Sequence, residues 1–137
     1  MAVDFGTKRL GVAVTDSKEA MALPIASFPI KSEEEGVEVI LRIARDREVR
    51  EIILGLPKNH SGGETEMSAR VRAFAEKLAE RGIGVPVTFS NERYTTILAE
   101  APMREAGMSA KKRRGHVDAG AATILLQAVL NSRRPNP

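Results

Sequence analysis

The chain has 137 residues, of which 42% are apolar and none is cysteine. That length holds one hydrophobic core and is too short for two, so a single domain over residues 1–137 is expected. The apolar share excludes a disordered chain, and the lack of thiols excludes a disulfide framework or a thiolate zinc site. The formal net charge of +3 hides an asymmetry: residues 1–68 carry 9 basic and 12 acidic side chains, whereas residues 69–137 carry 12 basic and 6 acidic ones. A basic second half suits a polyanionic partner, nucleic acid above all, or else consists of solvated faces. No run approaches the roughly twenty apolar residues needed to span a bilayer. The start, Met1-Ala2-Val3-Asp4, lacks the basic head and apolar body of an export signal. No membrane partner is expected, and the cytoplasm is the expected compartment.

The first fifteen residues read as two strands around a turn. Ala2-Val3 leads to Asp4, Gly6-Thr7-Lys8-Arg9 supplies the turn, and residues 10–15 resume with Leu10, Val12 and Val14 on one face. Gly11 and Ala13 keep the other face slim, as where something packs closely. Residues 24–30 form a third strand, which Pro24 and Pro29 push to an edge. Ser32-Glu33-Glu34-Glu35 is a capping box that opens a helix to about residue 45. Residues 49–54 are a strand buried on both faces. Residues 55–63 are a polar loop, and Met67, Val71, Phe74, Ala75 and Leu78 mark a second helix closed by Gly82. Residues 85–89 are a further strand. A third helix is expected from about residue 95 to 107, bent or shortened by Pro102. Residues 107–115 read as a basic loop or a loose extra turn, ahead of a last helix running to about residue 131. The expected fold is α/β: a mixed five-stranded sheet, its first three strands antiparallel, with helices on both faces.

Three acids occupy conspicuous positions. Asp118 heads the apolar stripe Ala121, Ala122, Leu125, Leu126 and Val129, and a carboxylate there must be neutralised, paired or bound to a metal. Asp4 interrupts the apolar start of the chain, and Glu92 follows the run 85–89. Each also has an ordinary structural explanation. Asp4 and Gly6 can simply build a turn in which Gly6 adopts positive φ. Glu92, after Asn91 as N-cap, and Asp118, if its helix starts at Val117, can complement helix dipoles. In the expected topology, however, the first strand lies beside the first crossover strand. Asp4 and Glu92 then approach each other at the strand ends, and the last helix can lay Asp118 across them. Together the acids suggest a site for a divalent metal. The loop 55–63 can turn backbone amides toward an anion at the start of the following helix, but it lacks the ending of a nucleotide-triphosphate loop. His60 in that loop is explained as a solvated side chain. Arg93 beside Glu92 can hold a phosphate in bidentate fashion.

Four motifs in order resemble the YqgF/RuvX family, bacterial nuclease-fold proteins described as Holliday-junction resolvases and as processing nucleases for the small-subunit ribosomal RNA precursor. They are Asp4-Phe5-Gly6-Thr7-Lys8-Arg9-Leu10-Gly11-Val12-Ala13-Val14, Gly55-Leu56-Pro57 with Asn59 and Gly62, Glu92-Arg93 with Thr95-Thr96, and Asp118 with Ala121-Ala122. The resemblance spans nearly the whole chain. It implies a ribonuclease H-like fold in which Asp4, Glu92 and Asp118 are the catalytic acids and metal ligands. The family commonly has Asp where Asn91 stands, often Asp where Ser61 stands, and several more residues ahead of the first Asp. The first two changes spare the proposed ligands, and the third leads us to expect a shortened first strand.

The expected activity is metal-dependent hydrolysis of phosphodiester bonds in structured nucleic acid: processing of the 16S rRNA precursor at its 5′ end in ribosome biogenesis, or resolution of Holliday junctions. The ions would be Mg²⁺ or Mn²⁺, favoured by hard oxygen ligands, and two of them about 3.5–4 Å apart would serve an in-line displacement. Candidate nucleic-acid contacts are Lys8, Arg9, Asn59 and Arg93, with Lys111, Lys112, Arg113 and Arg114 as a looser clamp. The partner is rRNA precursor or branched DNA, and a junction resolvase would act as a two-fold homodimer. The alternative is a non-catalytic RNA-binding or ribosome-assembly module with a vestigial acidic site. The Asp-x-Gly-Thr hairpin also resembles the phosphate loop of actin and sugar-kinase ATPases, a fold that needs two such domains. With 4% aromatic residues, recognition would rest on backbone and shape more than on base stacking.

Overall fold

A hairpin seeds the sheet. In the computed structural model, which describes residues 1–57, 63–91 and 110–133 (without the side chains of 91 and 110–119), β1 (Ala2–Phe5) pairs antiparallel with β2 (Arg9–Thr15). The turn between them closes with the Gly6 amide donating to the Arg9 carbonyl at 2.9 Å. A Cβ on Gly6 would stand 2.9 Å from that carbonyl oxygen. Glycine is therefore required by close approach and not, as the motif suggested, by a left-handed φ, for Gly6 does not lie in that region.

β3 (Ala22–Pro29) pairs with β2 and forms one edge of the sheet, whose order is β3-β2-β1-β4-β5. Pro24 and Pro29 both belong to this strand, as expected of residues that cannot donate to a ladder. The register slips beside Pro24: Val12 faces Ala26 while Ala13 faces Pro24, so Ile25 is the additional residue of a bulge. β4 (Ile52–Leu56) and β5 (Val87–Asn91) extend the sheet in parallel on the other side of β1. The sheet is thus mixed, with its first three strands antiparallel.

α1 (Glu33–Asp46) opens as its sequence dictates. The Ser32 hydroxyl accepts from the Glu35 amide at 3.1 Å, but the Glu35 carboxylate reaches back to the Lys31 amide at 3.2 Å, one residue further than in the expected box. β4 begins three residues later than the apolar run 49–54 suggested. The Val49 amide is still occupied by the Ala44 carbonyl at 2.9 Å, and Glu48 has φ 51°, so this stretch closes α1 before the strand can start. Val49 instead packs on the core from outside the sheet. The run 85–89 is displaced likewise to Val87–Asn91, where the parallel register with β4 fixes it. α2 (Glu66–Glu80) is opened by Thr65 and Ser68, whose side chains each accept from the other's amide at 3.0 and 2.6 Å. This box escaped the sequence reading, and it explains why Ser68 can be fully buried. Gly82, at φ 78°, leads the chain out of α2 as expected. The helix expected near residues 95–107 lies outside the described residues.

The pleat sorts side chains onto two faces. Val3, Phe5, Leu10, Val12, Val14, Ile52, Leu54 and Leu56 form one core with Val37 and Ile40 of α1 and Val71, Phe74 and Leu78 of α2. Phe5 and Phe74 meet there with ring centroids 4.8 Å apart. Outside this core, Lys77 of α2 bridges Glu33 and Glu34 of α1, and Arg81 bridges Glu38. The opposite face is built of small residues, Ala2, Ala13 and Ala22 with Ile53, and receives Ala122, Leu125 and Leu126 of the last helix, α3 (Ala110–Arg133). The stripe read from sequence is the one that is buried. The start of the helix is not where expected: Lys111, Lys112, Arg113, Arg114 and Gly115 belong to its first turns and form no loop.

Two polar clamps fasten α3. The Gln127 side-chain oxygen accepts from the Ala22 amide at 2.9 Å. Arg133 grips Glu51 through both guanidinium ends at 2.6 and 3.0 Å, while Thr88 donates to the same carboxylate at 3.0 Å. The Arg133 guanidinium, seconded by the Thr88 hydroxyl, holds the Glu51 carboxyl below its ordinary 4.5 against partial burial. Stability from an acid so depressed is present above the unfolded value and fades as pH falls through the folded one. Because Arg133 is largely exposed, the contribution is at most about 1 kcal/mol.

Two predictions follow from this geometry. Gly6→Ala should destabilise the fold by ~1–3 kcal/mol, read from denaturant melts; a wild-type midpoint would contradict the close approach. Glu51→Gln should cost stability at pH 7, with the gap to wild type closing below about pH 4; a gap unchanged between pH 7 and pH 3 would contradict the pairing.

Candidate metal and nucleic-acid site

Alternation along β1 decides where Asp4 points. Val3 and Phe5 enter the core under α1 and α2, while Ala2 lies in the cluster under α3, so Asp4 shares the α3 face with Ala2. It is half-buried and paired across the hairpin with Gly11. The slim face formed by Gly11 and Ala13 is thus the surface on which α3 approaches.

The parallel register carries this level across the sheet. Val3 pairs with Leu54, so Asp4 and Gly55 are the next residues on their strands, and Gly55 pairs with Ser90. Two strand spacings of about 4.8 Å separate β1 from β5. Glu92 follows Asn91, the last residue of β5, but Glu92 and Arg93 lie outside the described residues, as does Asn59.

The clamps locate the last turns of α3. Gln127 is held at the start of β3 and Arg133 at the residue preceding β4, so these turns cross the pole at which β1 and β4 start. Asp118 stands nine residues before Gln127, a rise of about 13.5 Å at 1.5 Å per residue. On the sheet, Ala22 pairs with Thr15 and Ala13 with Ala2. Asp4 is therefore four strand positions above Ala22, about 13 Å. α3 is thus long enough for its backbone at 118 to reach the level of Asp4. Asp118 also lies in the third turn of α3, not the first, so complementing a helix N-terminus does not account for it. Its side chain, like those of Lys111, Lys112, Arg113 and Arg114, is outside the description.

Lys8 and Arg9 sit at the β1–β2 turn, at the same end of the sheet as Asp4, and both are exposed. Arg9 is steered by β3: its Nε donates to the Ser27 hydroxyl at 2.8 Å and Nη2 to the Ser27 carbonyl at 3.4 Å. Residues 58–62 of the loop expected to approach an anion lie outside the described residues; at the start of α2 the Thr65 and Ser68 amides are occupied within the capping box. Glu64 and Glu66 add negative charge beside them. A cleft of about 590 Å³ opens at the opposite pole, lined by Asp16, Glu19, Arg47, Arg50, Glu51 and Arg133 among others; it is remote from Asp4 and is not the candidate site. Among the described residues, no three or more His, Asp or Glu side chains cluster as metal ligands; Asp4 alone of the three acids has a described side chain. Gln127 escaped the sequence reading. It follows Leu125-Leu126 on the flank of the stripe, and nothing local signals a partner 105 residues away.

Comparison with known proteins supplies the lineage. A "Putative pre-16S rRNA nuclease" of Anaeromyxobacter sp. (strain K) is 38% identical over 135 residues, 98% of each chain. A protein of the same description from Streptomyces avermitilis is 37% identical over 134 residues, 98% of this chain and 86% of that one. In fold, the chain resembles Thermus thermophilus RuvC in complex with Holliday junction substrate, with a TM-score of 0.54 at 14% identity, over 96% of this chain and 92% of that one. The mixed sheet flanked by helices is thus the RuvC-like, ribonuclease H-like fold. The family model described as "RuvX: Holliday junction resolvase" matches residues 1–132, and the chain belongs to that family of nucleases.

Proposed function

We propose that this protein is a divalent-metal-dependent nuclease that hydrolyses phosphodiester bonds, with Asp4, Glu92 and Asp118 as its catalytic acids and metal ligands. The observation that carries the reading is that α3 packs on the small-residue face to which Asp4 points, with a length from Gln127 to position 118 that matches the distance from Ala22 to Asp4. Glu92 supports it through its place in the chain, one peptide beyond Asn91 at the end of β5. The donor set fits Mg²⁺ or Mn²⁺, because carboxylate oxygens are hard ligands and the chain has no cysteine. Bound, such ions would polarise the phosphodiester and ease deprotonation of the attacking water.

The remaining roles fall to the chain itself. The pleat holds Asp4 toward α3, and Lys8 and Arg9, exposed at the hairpin turn, would steady phosphates beside the scissile bond. Lys111, Lys112, Arg113 and Arg114 add positive charge in the first turns of α3, suited to the flanking backbone. Asn59 and Arg93 complete the proposed nucleic-acid contacts. The printed name of the relatives favours the 16S rRNA precursor as substrate, and our reading places the cut at its 5′ end, in ribosome biogenesis in the cytoplasm. The family description favours a second reading, a Holliday-junction resolvase acting as a homodimer. No helix among the described residues is long and apolar enough to cross a membrane.

Purified protein with Mn²⁺ should cut one of two substrates, an rRNA precursor carrying its 5′ extension or a four-way DNA junction. Asp4→Asn and Asp118→Asn should each lower the rate by at least ~100-fold, more than loss of an outer-shell partner of a metal ligand costs, with unchanged circular dichroism. Undiminished turnover in both variants, or cutting in excess chelator, would refute the assignment. RNA binding without cutting in any divalent ion would establish the non-catalytic assembly module instead.

A further inference from the structure

We propose that Gln127 is a positioning residue that sets the register of α3 on the sheet and thereby the place of Asp118. The inference rests on the metal-site reading above and extends it to a residue that touches neither metal nor substrate.

The interface between α3 and the sheet is smooth where it matters. Ala2, Ala13 and Ala22 cluster with Ala122, all at most 7% exposed. Methyl groups meeting methyl groups bury surface but make no deep knobs, so they resist sliding or rotation poorly. Leu125 and Leu126 add burial without direction. Directional contacts must fix the register, and one that reaches the edge of the sheet comes from Gln127. Its side-chain oxygen accepts from the amide of Ala22, the first residue of β3, at 2.9 Å. Its amide nitrogen donates to the Asn131 side chain at 3.1 Å, one turn on. Asn131 therefore turns the carboxamide so that its oxygen meets the strand. Arg133 and Glu51 form a second anchor six residues on, but between exposed or half-exposed long side chains that tolerate more movement.

A helix is rigid over the nine residues from Gln127 to Asp118, so slippage at one appears at the other. A one-residue rotation of 100° would carry position 118 out of line with Ala122 and Leu125, the face of α3 that packs on the sheet. The Gln127 carboxamide thus acts on the metal site through α3.

Gln127→Leu keeps the size and removes the acceptor, and Gln127→Glu restores an acceptor oxygen in place. Mn²⁺ binding, measured by titration calorimetry, should weaken about tenfold in Gln127→Leu, in the range seen when an outer-shell partner of a metal ligand is lost. It should recover to within about threefold of wild type in Gln127→Glu. Hydrogen exchange of the Ala22 amide should quicken in the first variant only, while the melting temperature of both stays within a few degrees. Where cleavage is read, kcat should fall with KM for nucleic acid unchanged. Wild-type Mn²⁺ affinity in Gln127→Leu, or equal weakening in Gln127→Glu, would overturn the role of the acceptor. Asp4→Asn separates the two levels. If it loses Mn²⁺ and Gln127→Leu does not, this inference alone fails; if Asp4→Asn binds Mn²⁺ normally, the site reading fails and takes the inference with it.

Discussion

The two-residue alternation of β1 is the constraint on which the molecule turns. Val3 and Phe5 are committed to the core beneath α1 and α2, and that commitment sends Ala2 and Asp4 the other way. A slip of one residue would bury the carboxylate against Phe74 and expose two apolar side chains, an exchange the core would not tolerate. The hairpin fixes the register at one end through Gly6 and the Arg9 carbonyl, and the parallel pairing of Ala2 and Val3 with Ile53 and Leu54 fixes it along the strand. Asp4 is thereby delivered to the α3 face by packing elsewhere.

The two faces of the sheet use different physics. Beneath α1 and α2 the core is deep and interlocking, with large side chains such as Phe74, Ile40 and Leu78 fully buried. Beneath α3 the surface is thin, because small residues let the helix come close to the strand that carries Asp4. Closeness gives up steric definition, since an alanine methyl supplies only about 0.8 kcal/mol of burial and little shape. Polar clamps at Gln127 and Arg133 supply the definition that packing lacks there. They gather at the pole where β1 and β4 start, away from Asp4.

Much of this was legible in the residues. Strand alternation, the two prolines of the edge strand, the Ser32 cap, Gly82 and the stripe from Ala121 to Val129 each express a local rule, and the fold followed those rules. The misplaced boundaries have local causes of another kind. Val49 reads as a strand residue but keeps a helical partner in Ala44, a competition that no pattern of apolar residues reveals. The basic run 111–114 reads as part of a basic loop or a loose extra turn, yet lysine and arginine are good helix formers and one glycine costs only about 1 kcal/mol, and the run is helical. The ties from Gln127 to Ala22 and from Arg133 to Glu51 join residues 105 and 82 apart. Such partners are products of the fold and leave no local trace. Of the candidate site, the place of Asp4 and the reach of α3 follow from the fold. The four motifs drew attention to Glu92 and Asp118 as ligands.

The most direct measurement of the central claim is anomalous diffraction from crystals of the protein soaked in Mn²⁺. The account requires a manganese peak within about 2.0–2.3 Å of an Asp4 carboxylate oxygen, with Asp118 bound to the same ion or to its neighbour. Manganese confined to other surfaces, with the two carboxylates turned to separate parts of the molecule, would contradict it.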